Sequence, residues 1–174
     1  MGQYGSYEKQ VISKALAVAE PTGINMNAAA NTVAFLSRPF YEPACVTRFG
    51  YQVTTAFVYG TTPTEGVLTL YRYPGGDASA KIALGTIVLQ DALAANAVAY
   101  ADVDNAYVPA TYVDGVLTVR ARNKADLDVG DVVATWVTTM ANGGTETGVY
   151  QPYICVHPRA EVEDNQALMH NLTP

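Results

Sequence analysis

The sequence predicts an all-β fold: an antiparallel β-sandwich, jelly-roll or Greek-key like, with an extended N-terminal arm and a short C-terminal tail. Three observations carry that prediction. Seven or eight short stretches of alternating or β-branched residues recur at regular spacing. Gly, Pro, Asn and Asp punctuate them. No segment sustains a 3.6-residue apolar period for the length of a good helix. The 174 residues fit one domain, large enough to bury roughly 70% of the surface its unfolded chain exposes.

The stretch from Asp126 to Thr139 organises the rest. Gly130 can take φ > 0, and Asp126, Asp128 and Asp131 can bond nearby backbone amides, so the stretch opens as a turn. A strand comes next, with Val132, Ala134 and Trp136 on one face and Val133, Thr135 and Val137 on the other. Trp136 is the only Trp in the chain, and it is expected to anchor the contact between two stacked sheets.

In chain order, residues 1–31 differ in composition from the remainder of the chain, with Gly2, Gly5, Pro21, Gly23 and the Ala28–Ala30 run lying among Asn and Gln. Tyr7–Glu20 reads either as one short helix, with Val11, Ala15 and Val18 on one face, or as an extended arm, and the segment either lies on a neighbouring subunit or forms a frayed or locally packed terminus. The sandwich domain is expected over residues 32–158. Thr32–Leu36 is its first strand, ended by Arg38-Pro39 and Glu42-Pro43. Cys45–Tyr59 is the longest, with Phe49, Tyr51, Val53, Phe57 and Tyr59 on one aromatic face and Gly50 suggesting a bulge.

Two near-identical openings come next: Gly66-Val67-Leu68-Thr69-Leu70 after Glu65, and Gly115-Val116-Leu117-Thr118-Val119 after Asp114. They read as two strands solving the same turn-to-strand problem, since a repeat architecture needs more than two copies. Between them, Tyr73–Asp77 is a turn, Ile82–Leu89 a strand, Gln90–Asn96 a connection, Ala97–Val103 a strand of small residues and Asp102–Pro109 a loop. Asn142-Gly143-Gly144 turns the chain into Val149–His157. Pro152 cannot donate to a ladder there, which places that strand at an edge or at a bulge. Residues 159–174 read as a polar tail.

Composition narrows the function. Hydrophobic residues make up 49% and charged residues 15%, so the surface is lightly charged. Tyr is frequent at 12 residues against 4 Phe, and its apolar ring with a polar tip suits surfaces that are buried only part of the time. A net charge of −6 argues against a nucleic-acid partner, because no basic patch is present to neutralise phosphates. No apolar run reaches the ~20 residues of a membrane helix. Val11–Ala19 contains Lys14 and ends at Glu20-Pro21, which makes it a poor signal peptide. Met1-Gly2 with Ser6 fits the loose myristoylation pattern, a short match of the kind that arises by chance.

No chemistry-bearing pattern emerges. Cys45 and Cys155 fall on strands that can neighbour each other, which leaves a disulfide open, but two reduced thiols are the expected state. His157 and His170 have no second His at i+3 or i+4. Asp126, Asp128 and Asp131, like Asp102 and Asp104, bunch oxygen atoms without the calcium-loop spacing and read as turn makers. Ser6, Ser13, Ser37 and Ser79 lie in no nucleophile elbow, and Gly143–Gly148 precedes a strand, not a helix. No catalytic, cofactor-binding or metal-binding residue is therefore assigned, and no enzyme is expected.

The Gly-Val-Leu-Thr strands, the Leu127-x-x-Gly130-Asp131 turn, the Gly-rich hairpins and the Ala-rich N-terminal segment resemble the capsid decoration (cement) and accessory head proteins of tailed bacteriophages. The resemblance covers about residues 32–158 in style and transfers no site residue. It implies a non-enzymatic virion protein on the capsid surface, assembled in the host cytoplasm, that bridges subunits of the major capsid protein. It also implies a homo-oligomer, with a trimer preferred, and neither a nucleic-acid nor a membrane partner. Tyr51, Phe57, Tyr59, Tyr71 and Tyr73, where outside the core, would be anchors. The rival readings are a carbohydrate- or receptor-binding module of a fibre, using the loops at Asp102–Tyr112 and Asn142–Tyr150, and another self-assembling virion protein.

Overall fold

The computed structural model describes residues 10–13, 23–60, 64–104, 106–108, 111–119, 122–142 and 146–158. Its strands are β1 (Gln10–Ser13), β2 (Ile24–Asn25), β3 (Thr32–Leu36), β4 (Ala44–Val58), β5 (Gly66–Tyr73), β6 (Ile82–Leu89) and β7 (Val98–Asp102). They continue with β8 (Tyr107–Val108), β9 (Thr111–Val113), β10 (Val116–Val119), β11 (Arg122–Asn123), β12 (Asp126–Leu127), β13 (Val132–Thr139) and β14 (Thr147–Pro158). Sheet A runs β1-β14-β4-β12, with β2 also on β14 and β7 also on β4; sheet B runs β3-β13-β5-β6. Every pairing in these two sheets is antiparallel. The chain crosses between sheets at β2–β3, β3–β4, β4–β5, β6–β7, β12–β13 and β13–β14, so the two layers are laced together. This is the expected all-β sandwich.

Alternation dictates the core. On β4, Phe49, Tyr51, Val53 and Phe57 point inward with essentially no exposed surface, joined by Tyr59 just beyond the strand. Tyr150, Ile154 and Val156 of β14 complete the layer from sheet A. Sheet B answers with Phe35, Leu68, Leu70, Leu84, Leu89, Val133 and Val137. The rings of Tyr51, Phe57 and Tyr150 pack on one another at centroid distances of 5.7–6.1 Å, in stacked and edge-to-face geometry. Tyr51 and Tyr59 donate to the carbonyls of Val88 and Leu89, so their phenol tips tie sheet A to the end of β6.

Three expectations change in the fold, and one pair of alternatives is decided. Trp136 does not sit between the sheets: Val133, Thr135 and Val137 face the core, and Trp136 lies on the outer side of sheet B. Alternation fixes parity but not sign, and the sign comes from register. Thr135 pairs with Leu70 and Val137 with Leu68, and those leucines are buried. Gly50 marks no bulge; a Cβ there would stand 2.1 Å from the Ala99 carbonyl oxygen, so glycine admits β7. Of the two alternatives for the strand holding Pro152, an edge or a bulge, the bulge is found: β14 is interior. It carries bulges, and Pro152 falls between the stretches paired with β1 and β2. Tyr107–Val108, expected in a loop, is a strand.

Within residues 1–31, Gln10–Ser13 is a strand on β14, where a helix over Tyr7–Glu20 was one alternative. Met26 is buried, its N–H donating to the Gly148 carbonyl, and the Asn31 N–H donates to Val137. The described parts of that segment thus lie on this chain's own body. The rest of it, the residues 159–174 read as a tail, and residues 143–145 of the Gly-rich turn lie outside the described residues.

Candidate docking surfaces

The outward side of β13 is the first feature that the core does not consume. Leu36, Ala134 and Tyr71 sit side by side across β3, β13 and β5, and Val33, Trp136 and Thr69 form the next row. Directly opposed residues share a face, so these rows form one continuous outer surface of sheet B. Val33, Leu36 and Val88 are exposed on it, and Tyr71 and Trp136 are half-buried. The Trp136 indole N–H donates to the Tyr73 hydroxyl, and the Tyr71 ring meets the indole edge-to-face at 6.2 Å. Lys81 closes the group, its Nζ 4.3 Å from the Trp136 ring centroid and 5.0 Å from that of Tyr71. The hydroxyls of Thr69 and Thr138 satisfy each other at 2.9 Å, and Thr138 also donates to the Val67 carbonyl.

The second feature is a hairpin. Val113 pairs with Val116, Leu117 with Tyr112, Asn123 with Tyr107 and Arg122 with Val108. β9–β10 and β8–β11 form two separate two-stranded pairs. Among the described residues, neither pair joins sheet A or sheet B. Asp114 and Gly115 have φ of 51° and 76°, the primed turn that matches strand twist, and Asp-Gly is its preferred sequence. The base is fixed by Asp104, whose carboxylate takes the Ala106 N–H and a 2.6 Å ion pair from Lys124. That side-chain bond to Lys124, then the backbone bond, holds the Asp104 carboxyl below its ordinary pKa. Across the base, Lys124 N–H donates to Ala106, and the Asp126 carboxylate accepts from Asn123 N–H.

Asp128 and Asp131, read from the sequence as turn makers, hold the turn that launches β13. Asp131 accepts from Arg72 Nε at 2.7 Å, from Gly75 N–H and from Asp128 N–H, while Arg72 Nη2 also reaches Asp128 at 3.2 Å. Arg72 is almost wholly buried, so a guanidinium supplies the positive charge at this cluster. Among the described residues no group of His, Cys, Asp or Glu is arranged to hold a metal ion. Cys45 and Cys155 are half-buried, with Cys45 opposite His157 and Cys155 opposite Arg48.

Of the five suggested aromatic anchors, Tyr51, Phe57 and Tyr59 are core, Tyr73 is buried beside Trp136, and Tyr71 keeps exposed surface. Tyr150, suggested as a sugar contact, has no accessible surface; burial first, then the neighbouring Tyr51 and Tyr59, pushes its phenol far above the ordinary value. The side chain of Tyr107 and His170 lie outside the described residues. Lys81, Val33 and Leu36 were not singled out in the sequence. The signal for them is their position across the sheet from Trp136 and Tyr71, which needs register to be read.

The fold and these surfaces define the class: an antiparallel β-sandwich with an apolar outer sheet face and a hairpin outside both sheets. No protein-family model, no curated protein and no solved structure matches this chain.

Proposed function

We propose that this chain is a non-enzymatic virion structural protein that decorates and stabilises an icosahedral phage capsid by bridging subunits of its major capsid protein. The observation that carries this reading is the outer face of sheet B, where Val33, Leu36, Tyr71, Val88 and Trp136 offer apolar surface beside the exposed cation Lys81. A contiguous apolar patch on a soluble protein marks a place where another macromolecule sits. Tyr and Trp at its centre are the residue types that dominate binding energy. Each copy needs only a modest contact, because many copies act together on one particle. Asp131, Asp128 and Asp104 are engaged in ion pairs at the Arg72 turn and at the hairpin base, and Tyr51, Tyr59 and Tyr150 are packed in the core.

Mixing purified protein with empty phage heads tests the reading. Saturable binding and a raised melting temperature of the shell are expected, with Leu36→Asp weakening attachment about tenfold or more. Absence of binding at micromolar concentration rules it out.

A further inference from the structure

We infer that the β9–β10 hairpin tip of one copy of this chain docks on the outer face of sheet B of a second copy, with Asp114 of the tip against Lys81 of the face. The tip is uncovered within a single copy: Tyr112 is 64% exposed, Val113 55% and Val116 65%. A two-stranded hairpin is marginal in water unless its apolar side meets something. Asp114 sits at the turn between these side chains, exposed and without an ion pair to a described residue.

The face is the complement. It is apolar, it carries the exposed cation Lys81, and Lys81 has no ion pair to a described residue. Held over two aromatic rings, its ammonium has already given up part of its water, so a carboxylate reaching it gains more than at an open surface. A chain of net charge −6 repels its own copies over most approaches. The Lys81 face is an approach where an acid-tipped hairpin is attracted instead. Packing sheet B against sheet B would bring two Lys81 side chains into one interface, which like charge disfavours.

Tip and face are different surfaces, so the contact is heterologous. It closes into a ring where the rotation allows and otherwise propagates. Each contact is small, and ring closure is what makes it persist. The tip and a shell compete for this one face, so a copy seated on a shell through it holds no second copy's tip there; the pairing does not rest on attachment to a shell, and its test needs none.

The experiment is sedimentation velocity with light scattering on the full chain across the micromolar range. Concentration-dependent association is expected. Asp114→Lys or Lys81→Glu alone should weaken it about tenfold or more. The double variant should recover it, and so should an equimolar mixture of the two single variants, where each tip finds a face of opposite charge. Asp114→Asn keeps a residue suited to the turn and should still lose association, with an unchanged urea midpoint. A monomer at every concentration overturns the inference, as does association indifferent to these changes or not recovered in the mixture.

Discussion

Gly66-Val67-Leu68-Thr69-Leu70 and Gly115-Val116-Leu117-Thr118-Val119 are nearly the same five residues, and the fold uses them in opposite ways. The first lies in sheet B between β13 and β6, with Leu68 and Leu70 wholly buried. The second is one arm of a hairpin outside both sheets, and its Val116 is exposed. Even the glycines differ in purpose. A Cβ on Gly66 would stand 2.9 Å from Leu89 Cδ1 and 3.2 Å from Ala141 Cβ, whereas Gly115 has open space around it but a φ of 76°. Local residues specify a strand and leave its layer open. Tyr71-Arg72-Tyr73 supply partners for Trp136 and Asp131, and Arg120-Ala121-Arg122 replace them in the second copy.

The largest test of that contrast is Arg72→Met. Asp131 would remain buried with its cation removed, at a cost of about 3–5 kcal/mol in urea unfolding. A loss near zero would mean that the ion pair does not hold the first copy in its sheet. Leu68→Ala should cost about 2–5 kcal/mol. Val116→Ala should change stability by less than about 0.5 kcal/mol. Equal costs at the two positions would erase the distinction.

The glycines sharpen it. Gly66→Ala overpacks a filled site and should cost about 1–3 kcal/mol, while Gly115→Ala meets only backbone strain of about 1 kcal/mol. Asn should be tolerated at Gly115 and not at Gly66, because Asn accepts φ > 0 but adds volume. Urea midpoints for the four variants would show the reversal or its absence.

The smallest effect is expected at Tyr150→Phe. Its hydroxyl is buried without a hydrogen-bond partner among the described residues, so stability near neutral pH should hardly change. Burial raises the folded-state phenol pKa of Tyr150, and of Tyr51 and Tyr59, above the ordinary value of 10.0. The folded chain then keeps protons that the unfolded chain releases, so stability is intact below that value and declines as pH rises past it. Tyr150→Phe should flatten the alkaline decline. An unchanged slope would mean that Tyr150 ionises as freely folded as unfolded.

Much of the architecture was legible. Thr32–Leu36 and Ile82–Leu89 match β3 and β6 end for end, and the aromatic face from Phe49 to Tyr59 is the core because alternating side chains on a long strand leave little choice. The Asp126–Asp131 turn was legible too, through Gly130 at φ 90°. Trp136 was not. Both sides of β13 are apolar enough to be buried, and the deciding fact is its register with Leu68 and Leu70, a non-local property. The docking face was hidden for the same reason: Leu36, Tyr71, Lys81 and Trp136 come from separate strands and loops and meet only once the sheet is assembled. The hairpin was half legible, since Asp114-Gly115 announces a tight turn, but nothing near it says that its strands leave the sandwich.

Because Trp136 is the only Trp in the chain, iodide quenching of its fluorescence reports on this face alone. In dilute free protein the half-buried ring beside Lys81 should be quenched readily, and saturation with empty phage heads should abolish that quenching. Heads that bind the protein while Trp136 stays as open to iodide as before would contradict docking through the outer face of sheet B.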